Sequence, residues 1–269
     1  MRYITYFILL TLVCFSSCNK QGISSADKLL VIGNDTLSLF CAYSWDDGYM
    51  AYYKDSDKLV GIDNEFIKDI SQEINDTVIY WITKDSIYRS DGNLVYYVKD
   101  GLIVREYQYF GFKSPYEREY IYDSNRCLTH TMRLDSKDYF SNYIWNQDRL
   151  ERIETTEPYF FILDGTAYIK YGRWKESTVN GGLPFYMFRL LDGKEKDPFP
   201  LILMGYYGKV PRQDISSFVF QDIRKNSLIK ETYESEYNSE GQLESIKIEN
   251  NDKTNKTFHF EFGPADLQD

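Results

Sequence analysis

The stretch YNSEGQL, from Tyr237 to Leu243, holds an aromatic residue, a polar run with one Gly, and a Leu. Asn tolerates left-handed backbone angles and bonds to its own backbone, and Gly takes positive φ freely, so such a run is turn chemistry. Nearly the same phrase recurs as YYKDSDKL (52–59), YRSDGNL (88–94), YVKDGL (97–102), YDSNRCL (122–128) and WNQDRL (145–150). Around these phrases the chain alternates with period two. Tyr120 and Tyr122 share one face, Ile246 and Ile248 another, and Phe258, Phe260 and Phe262 a third. Alternation of this kind marks strands with one buried face, and Tyr, Phe, Trp and Ile suit a pleated, half-buried surface.

Each phrase is therefore read as the tip of a hairpin. Consecutive hairpins give a mainly β fold, a curved antiparallel meander that is half-barrel or barrel-like. The spacings between phrases are irregular, which excludes a strict solenoid. One short helix is expected over Asn64–Asn75, where Phe66, Ile70 and Ile74 recur every four residues. Residues 172–217 read differently, with Pro184, Pro198, Pro200, Pro211 and the apolar bursts LPFYMFRLL and FPLILMGYYG. This is an irregular insertion, and its apolar content places it against the sheet, over an edge or a mouth.

The first 17 residues, MRYITYFILLTLVCFSS, carry one charge, Arg2, before an apolar run that is short for a bilayer-spanning helix. A basic start followed by such a run is the grammar of a secretory signal. Phe15-Ser16-Ser17-Cys18 resembles the lipobox of bacterial lipoproteins, with Phe15 in place of the usual Leu or Val. That resemblance implies cleavage before Cys18, lipidation of Cys18 and anchoring by acyl chains. The organisation expected is a signal peptide (1–17), a lipidated tether (18–27) and a single β domain (28–269). Of the four cysteines, Cys41 and Cys127 then remain, either to pair in an oxidising compartment or to stay as two buried thiols.

A second resemblance rests on the order of YIYDSNRCLTHTMR, SNYIWNQDRLERIE, an irregular insertion ending near GYYGKVPRQDIS, and YNSEGQLESIKI. That order is similar to a family of Bacteroidetes lipoproteins of unknown function with a porin-like, curved antiparallel sheet, and the phrase itself looks like the YD repeats of bacterial surface proteins. The resemblance spans residues 86–262 and implies architecture and anchoring, with no catalytic residues. The chain departs from the pattern where NRCL lacks the turn Gly and where VPRQ lacks the expected Leu-Pro. Three triplets beginning at Asp35, Asp76 and Asp85 resemble the O-glycosylation signal of exported Bacteroidetes proteins, with Thr36, Thr77 and Ser86 as acceptors.

Chemistry is sparse. A net charge of -10 argues against a nucleic-acid or anionic-membrane surface. The chain has two histidines, His130 and His259, and neither sits in a metal motif; His259 lies opposite Phe258 and Phe260, on the solvent face. There is no phosphate-cradling Gly loop and no Gly-flanked nucleophile. WDDGY (45–49) and DSD (55–57) read as turns, the latter lacking the Gly and distal Glu of a calcium loop. No motif implies a catalytic residue, metal or cofactor.

The excess lies in aromatics, with 25 Tyr, 17 Phe and 4 Trp. These supply rigid surfaces with a polar handle, suited to stacking on sugars or lining an apolar cavity. Tyr143, Trp145 and Trp174 are the candidate stacking residues. The expected function is non-catalytic binding of an apolar or glycan ligand by a lipid-anchored envelope protein. A structural lipoprotein docking onto an outer-membrane partner is the alternative, and a glycan-active enzyme comes third. NKQGISSADK (19–28) has no acid before Asp27, which tilts the expectation toward the periplasmic face over the cell surface.

Overall fold

In the computed structural model the described residues are 29–32, 34–45, 48–67, 72–108, 116–156, 165–172, 198–210, 214–223, 226–239, 241–251, 253 and 255–263. They form β1 (Leu29–Ile32), β2 (Asp35–Trp45), β3 (Gly48–Asp55), β4 (Lys58–Ile67), β5 (Gln72–Ile82), β6 (Ser86–Arg89), β7 (Leu94–Lys99), β8 (Leu102–Gln108) and β9 (Tyr116–Tyr122). The remaining strands are β10 (Leu128–Arg133), β11 (Phe140–Asn146), β12 (Arg149–Thr155), β13 (Gly165–Tyr171), β14 (Ile215–Asp222), β15 (Ser227–Tyr237), β16 (Leu243–Asn250) and β17 (Asn255–Phe262). From β2 onward each strand pairs antiparallel with the next, and β17 returns to β2 through His259↔Ser44, Phe260↔Tyr43, Glu261↔Ala42 and Phe262↔Cys41. Among the described residues this is a closed barrel of sixteen strands, β2 to β17, and closure removes the sheet edges. β1 pairs with the first residues of β2, on the edge that β17 occupies farther along. At the closure Gly263 N–H donates to the Phe40 carbonyl at 2.9 Å. A Cβ on Gly263 would lie 1.7 Å from the Leu39 carbonyl oxygen, so only Gly fits there.

Every repeated phrase joins two paired strands. Five of the six (after β3, β7, β9, β11 and β15) lie at one end of the barrel, here termed the first mouth, and YRSDGNL, after β6, lies at the other. The aromatic residue and the Leu of a phrase face each other as cross-strand partners in Tyr88↔Leu94, Tyr122↔Leu128, Trp145↔Leu150 and Tyr237↔Leu243. A register shift lies beside each of these pairs. That bulge explains the odd spacing of Leu243 from Ile246, which a strict alternation would put on opposite faces. YDSNRCL turns without Gly because Arg126 itself adopts a φ of 64°, while the Asp123 carboxylate accepts the N–H groups of Asn125 (2.8 Å) and Cys127 (2.9 Å).

Among the described residues of Asn64–Asn75 the expected helix is not found. Lys58–Ile67 and Gln72–Ile82 are strands, paired in one continuous register from Lys58↔Trp81 to Ile67↔Gln72. A spacing of four is also a multiple of two, so Phe66, Ile70 and Ile74 satisfy a strand period as well as a helical one, and long pairing with a neighbour decided between them. The short helix lies elsewhere, at Pro198–Leu203, inside the insertion that runs between β13 and β14.

The barrel buries its inner face. One core cluster draws on inward positions of β2 through β17, with Tyr52, Tyr96, Ile87, Ile103, Leu128 and Leu150 fully enclosed. Leu201, Ile202 and Tyr207 of the insertion belong to the same cluster. A smaller cluster, Leu37, Leu39, Ala42, Ala51, Tyr53 and Val60, lies on the other face of β2–β4. Cys41 and Cys127 are both buried free thiols.

Candidate functional site

Two features of the barrel bear on function: the polarity of its two faces, and the way the first mouth is held together. Along β16, Leu243, Ile246 and Ile248 are buried while Glu244, Lys247 and Glu249 are exposed. The same outward side carries Arg105 and Glu117, 3.5 Å apart, Arg152 and Glu154, 3.1 Å apart, and Lys247 and Glu234, 3.9 Å apart. A lipid-spanning barrel has the opposite arrangement, an apolar outer band around a polar lumen, and each Arg or Lys at its midplane would cost about 2–4 kcal/mol. Three such cations at a midplane, as Arg105, Arg152 and Lys247 would be, would cost about 6–12 kcal/mol, comparable with a whole folding stability of about 5–15 kcal/mol. Among the described residues no helix is long and apolar enough to cross a membrane either.

At the first mouth the tips of neighbouring hairpins splay apart. The β8–β9 ladder stops at Arg105↔Glu119, the β10–β11 ladder at His130↔Asn142, and the β12–β13 ladder at Arg152↔Tyr168. Beyond those pairs buried carbonyls would be left without partners, at a cost of about 1–3 kcal/mol each. An aromatic side chain supplies the missing donor every time. Tyr122 O–H donates to the Ile103 carbonyl (2.8 Å), Trp145 Nε1–H to the Leu128 carbonyl (2.7 Å), and Tyr171 O–H to the Leu150 carbonyl (2.9 Å). Tyr237 O–H donates in the same manner to the Asp214 carboxylate just before β14. Two of these caps come from the phrases themselves: Trp145 of WNQDRL ties down Leu128 of YDSNRCL, and Tyr122 of YDSNRCL ties down Ile103, the residue after the Leu of YVKDGL. Burial raises the Tyr122 and Tyr171 hydroxyls well above the ordinary phenol range, so both remain protonated donors.

Residues 201–209 of the insertion lie against this mouth. Ile103 N–H donates to the Tyr206 carbonyl at 2.8 Å, and Lys209 N–H to the Arg126 carbonyl at 2.8 Å. The Lys209 ammonium also pairs with Asp148 at the tip of the next hairpin. Tyr207 is buried with its ring edge toward Tyr120, centroids 5.7 Å apart. Tyr120 O–H in turn donates to the buried Glu106 carboxylate at 2.6 Å, and Arg118 lies 3.5 Å from the same carboxylate. This inward polar group sits farther from the first mouth, where the wall changes from apolar to charged.

The candidate residues named from the sequence fall in different places. Tyr143 is buried on the inner face of β11, opposite Ile153. Trp145 is half-buried, and its indole N–H is committed to the Leu128 carbonyl. Trp174, Cys18 and most of the expected insertion lie outside the described residues. Thr36 and Thr77 are exposed, whereas Ser86 is buried beside the Thr83 turn. His130 faces outward with Nδ1 2.7 Å from Asn142 Oδ1 and its ring stacked on Phe140, and His259 is exposed. Among the described residues no group of three His, Cys, Asp or Glu side chains is placed to hold a metal ion. Sequence reasoning missed the carbonyl-capping role of Tyr122 and Tyr171. For Tyr122 the signal was the aromatic residue that opens each phrase.

No family model matches the chain, and no curated protein is similar to it. Solved structures are. A porin-like protein from Bacteroides uniformis superposes with a TM-score of 0.60 at 13% identity, over 82% of this chain and 96% of that one. A porin-like protein from Bacteroides vulgatus covers 88% of this chain and 97% of its own, with a TM-score of 0.40 and 11% identity. The first of these likenesses, together with the closed meander described above, shows that the chain has a porin-like fold.

Proposed function

We propose that this protein is a lipid-anchored envelope protein that binds an apolar ligand inside its barrel without catalysing a reaction on it. The observation that carries the reading is the inverted polarity. The outer wall carries ion pairs beside exposed aromatics such as Trp81, while the larger cluster of buried Tyr, Phe and Leu lies inside, so the main apolar surface is where a ligand would be enclosed, as in small-molecule sites generally. The lipobox-like Cys18, the signal-like start and the envelope setting implied by the porin-like neighbours' printed names support the anchor and the location. The polar tether tilts the location toward the periplasmic face. A glycan is the less favoured ligand, because Trp145, one of the proposed stackers, spends its N–H on backbone. Thr36 and Thr77 are accessible as glycosylation acceptors in the folded chain, and Ser86 is not.

Native mass spectrometry of the full chain carrying Cys18→Ser tests the ligand. A reproducible extra mass that is lost on unfolding, with the solubility of an acyl chain or other apolar compound, is the expected result. A bare mass together with no uptake of added apolar compounds would refute it. A docking role is the second reading, favoured by the exposed Trp81, Tyr88 and Tyr97 on the outer wall; Trp81 and Tyr88 are cross-strand partners. Retention of a defined outer-membrane protein, lost in Trp81→Ala, would establish it.

A further inference from the structure

The hairpin tips at the first mouth are sewn by side chains, with one difference between the seams. Trp145 and Tyr171 close the β10–β11 and β12–β13 seams from within the sheet. At the β8–β9 seam Tyr122 caps the Ile103 carbonyl, but the Ile103 N–H is completed by the Tyr206 carbonyl of the insertion. Among the described residues this is the one seam where backbone from outside the sheet finishes the wall. The same short segment places Leu201, Ile202 and Tyr207 in the core cluster of the lumen. Its seat is tight at a single point. Gly208 has a φ of 78°, and a Cβ there would lie 2.2 Å from the Arg126 carbonyl oxygen and 3.2 Å from the Tyr122 ring. Gly205, three residues earlier, has a similar φ of 79° with nothing within 4 Å of such a Cβ.

We propose that the β8–β9 seam is the portal through which an apolar ligand enters the barrel, and that residues 201–209 are its gate, occupying with Leu201, Ile202 and Tyr207 the part of the lumen that the ligand takes. The inference rests on the apolar-ligand reading above. Three features support it. The β8–β9 ladder already stops at Arg105↔Glu119, so withdrawing the segment opens a passage there without breaking a ladder, whereas the β10–β11 and β12–β13 seams are held by Trp145 and Tyr171 from within the sheet. The segment's backbone bonds and its Lys209 ion pair tie it to one strand and two hairpin tips, at Ile103, Arg126 and Asp148 among others. Its buried side chains are apolar or aromatic, the same chemistry as the wall they touch, so a ligand that replaces them meets a surface already suited to it.

The test is the uptake of N-phenyl-1-naphthylamine, a dye that fluoresces in apolar surroundings, by the purified full chain carrying Cys18→Ser so that no acyl chain of its own competes. Stopped-flow traces are compared for that protein and for Gly205→Ala, Gly208→Ala and Tyr122→Phe made in it. Gly208→Ala unseats the gate against Arg126, and Tyr122→Phe loosens the seam without touching the gate's backbone bonds. Both are expected to take up dye about tenfold faster, the gain from removing about one hydrogen bond from the barrier. Gly205→Ala carries the same backbone strain without the collision and is expected to speed uptake less than Gly208→Ala. Equal rates in all four proteins would overturn the gate and leave the apolar lumen standing. No uptake by any of them would overturn the lumen itself, and the gate with it.

Discussion

Replacing Tyr171 by Phe removes one oxygen atom and should destabilise the barrel measurably. The ring stays, with its apolar contacts and with the Arg149 guanidinium 5.7 Å from its centroid, so neither buried area nor the cation–π contact is lost. What is lost is the donor to the Leu150 carbonyl at 2.9 Å, and Leu150 is fully buried. An orphaned buried acceptor costs about 1–3 kcal/mol. For a domain of this size each kcal/mol moves the melting temperature by about 2–4 °C, which gives a fall of roughly 2–12 °C. Urea unfolding and thermal melts of the two proteins in one buffer read both quantities. Tyr168→Phe is the control, because Tyr168 lies on the same strand but faces solvent, and its change should stay within about 0.5 kcal/mol. Tyr122→Phe should behave like Tyr171→Phe. Three strands lie between the two, four spacings of about 4.8 Å or near 19 Å along the sheet, so the double variant should be additive to within about 0.5 kcal/mol. If Tyr171→Phe melts with Tyr168→Phe and the parent, the aromatic caps are incidental and this account of the repeated phrase fails.

Stability should begin to fall above about pH 8.5, where the unfolded chain's thiols lose protons that buried Cys41 and Cys127 keep, and fall more steeply above about pH 10. Burial raises the Tyr120, Tyr122, Tyr171 and Tyr233 hydroxyls above the usual phenol value of about 10. Above that pH the unfolded chain loses protons that the folded chain keeps, so stability present below pH 10 drains away as pH rises. Phenolate absorbance should therefore appear together with unfolding, and an early, gradual rise from all tyrosines would contradict this. Cys41 and Cys127 are buried with raised thiol pKa values, so a thiol reagent should find neither in the folded protein and both after denaturation; rapid native labelling of either would count against the structure. Gly263→Ala puts a Cβ 1.7 Å from the Leu39 carbonyl at the closing seam and should cost about 3 kcal/mol or more, read as a lower melting temperature with loss of amide protection in β17. Ile246→Asp, inward and buried, should unfold the protein or cost more than about 4 kcal/mol, while Lys247→Ala, its outward neighbour, should change stability by less than about 0.5 kcal/mol. The reverse order would mean that the apolar face points outward, to lipid.

The hairpins were legible because their signals are local. Asp, Asn and Gly between an aromatic residue and a Leu specify a turn within seven residues, and alternation along the flanks specifies which side is buried. Arg126 shows that the phrase can succeed without Gly when a neighbouring carboxylate, Asp123, holds the turn. The expected helix shows where a local signal is ambiguous. Phe66, Ile70 and Ile74 repeat at a spacing that both periods allow, and the strand at Gln72–Ile82 supplied pairing that a helix could not match.

What the amino-acid sequence determined by itself was a chain of antiparallel hairpins with an interruption between residues 172 and 217. Whether the meander closes was decided by a contact between its two ends, Phe262 against Cys41, more than two hundred residues apart in the chain. No pattern within one strand encodes that pairing, because a curled open sheet and a barrel share the same alternation. The caps at the first mouth are likewise non-local. That Tyr122 opens a turn can be read from seven residues, but that its hydroxyl serves the Ile103 carbonyl depends on two hairpins diverging where their ladders stop. Turn chemistry acts within a few bonds of the chain, whereas closure and capping act through space, and only folding brings those partners together.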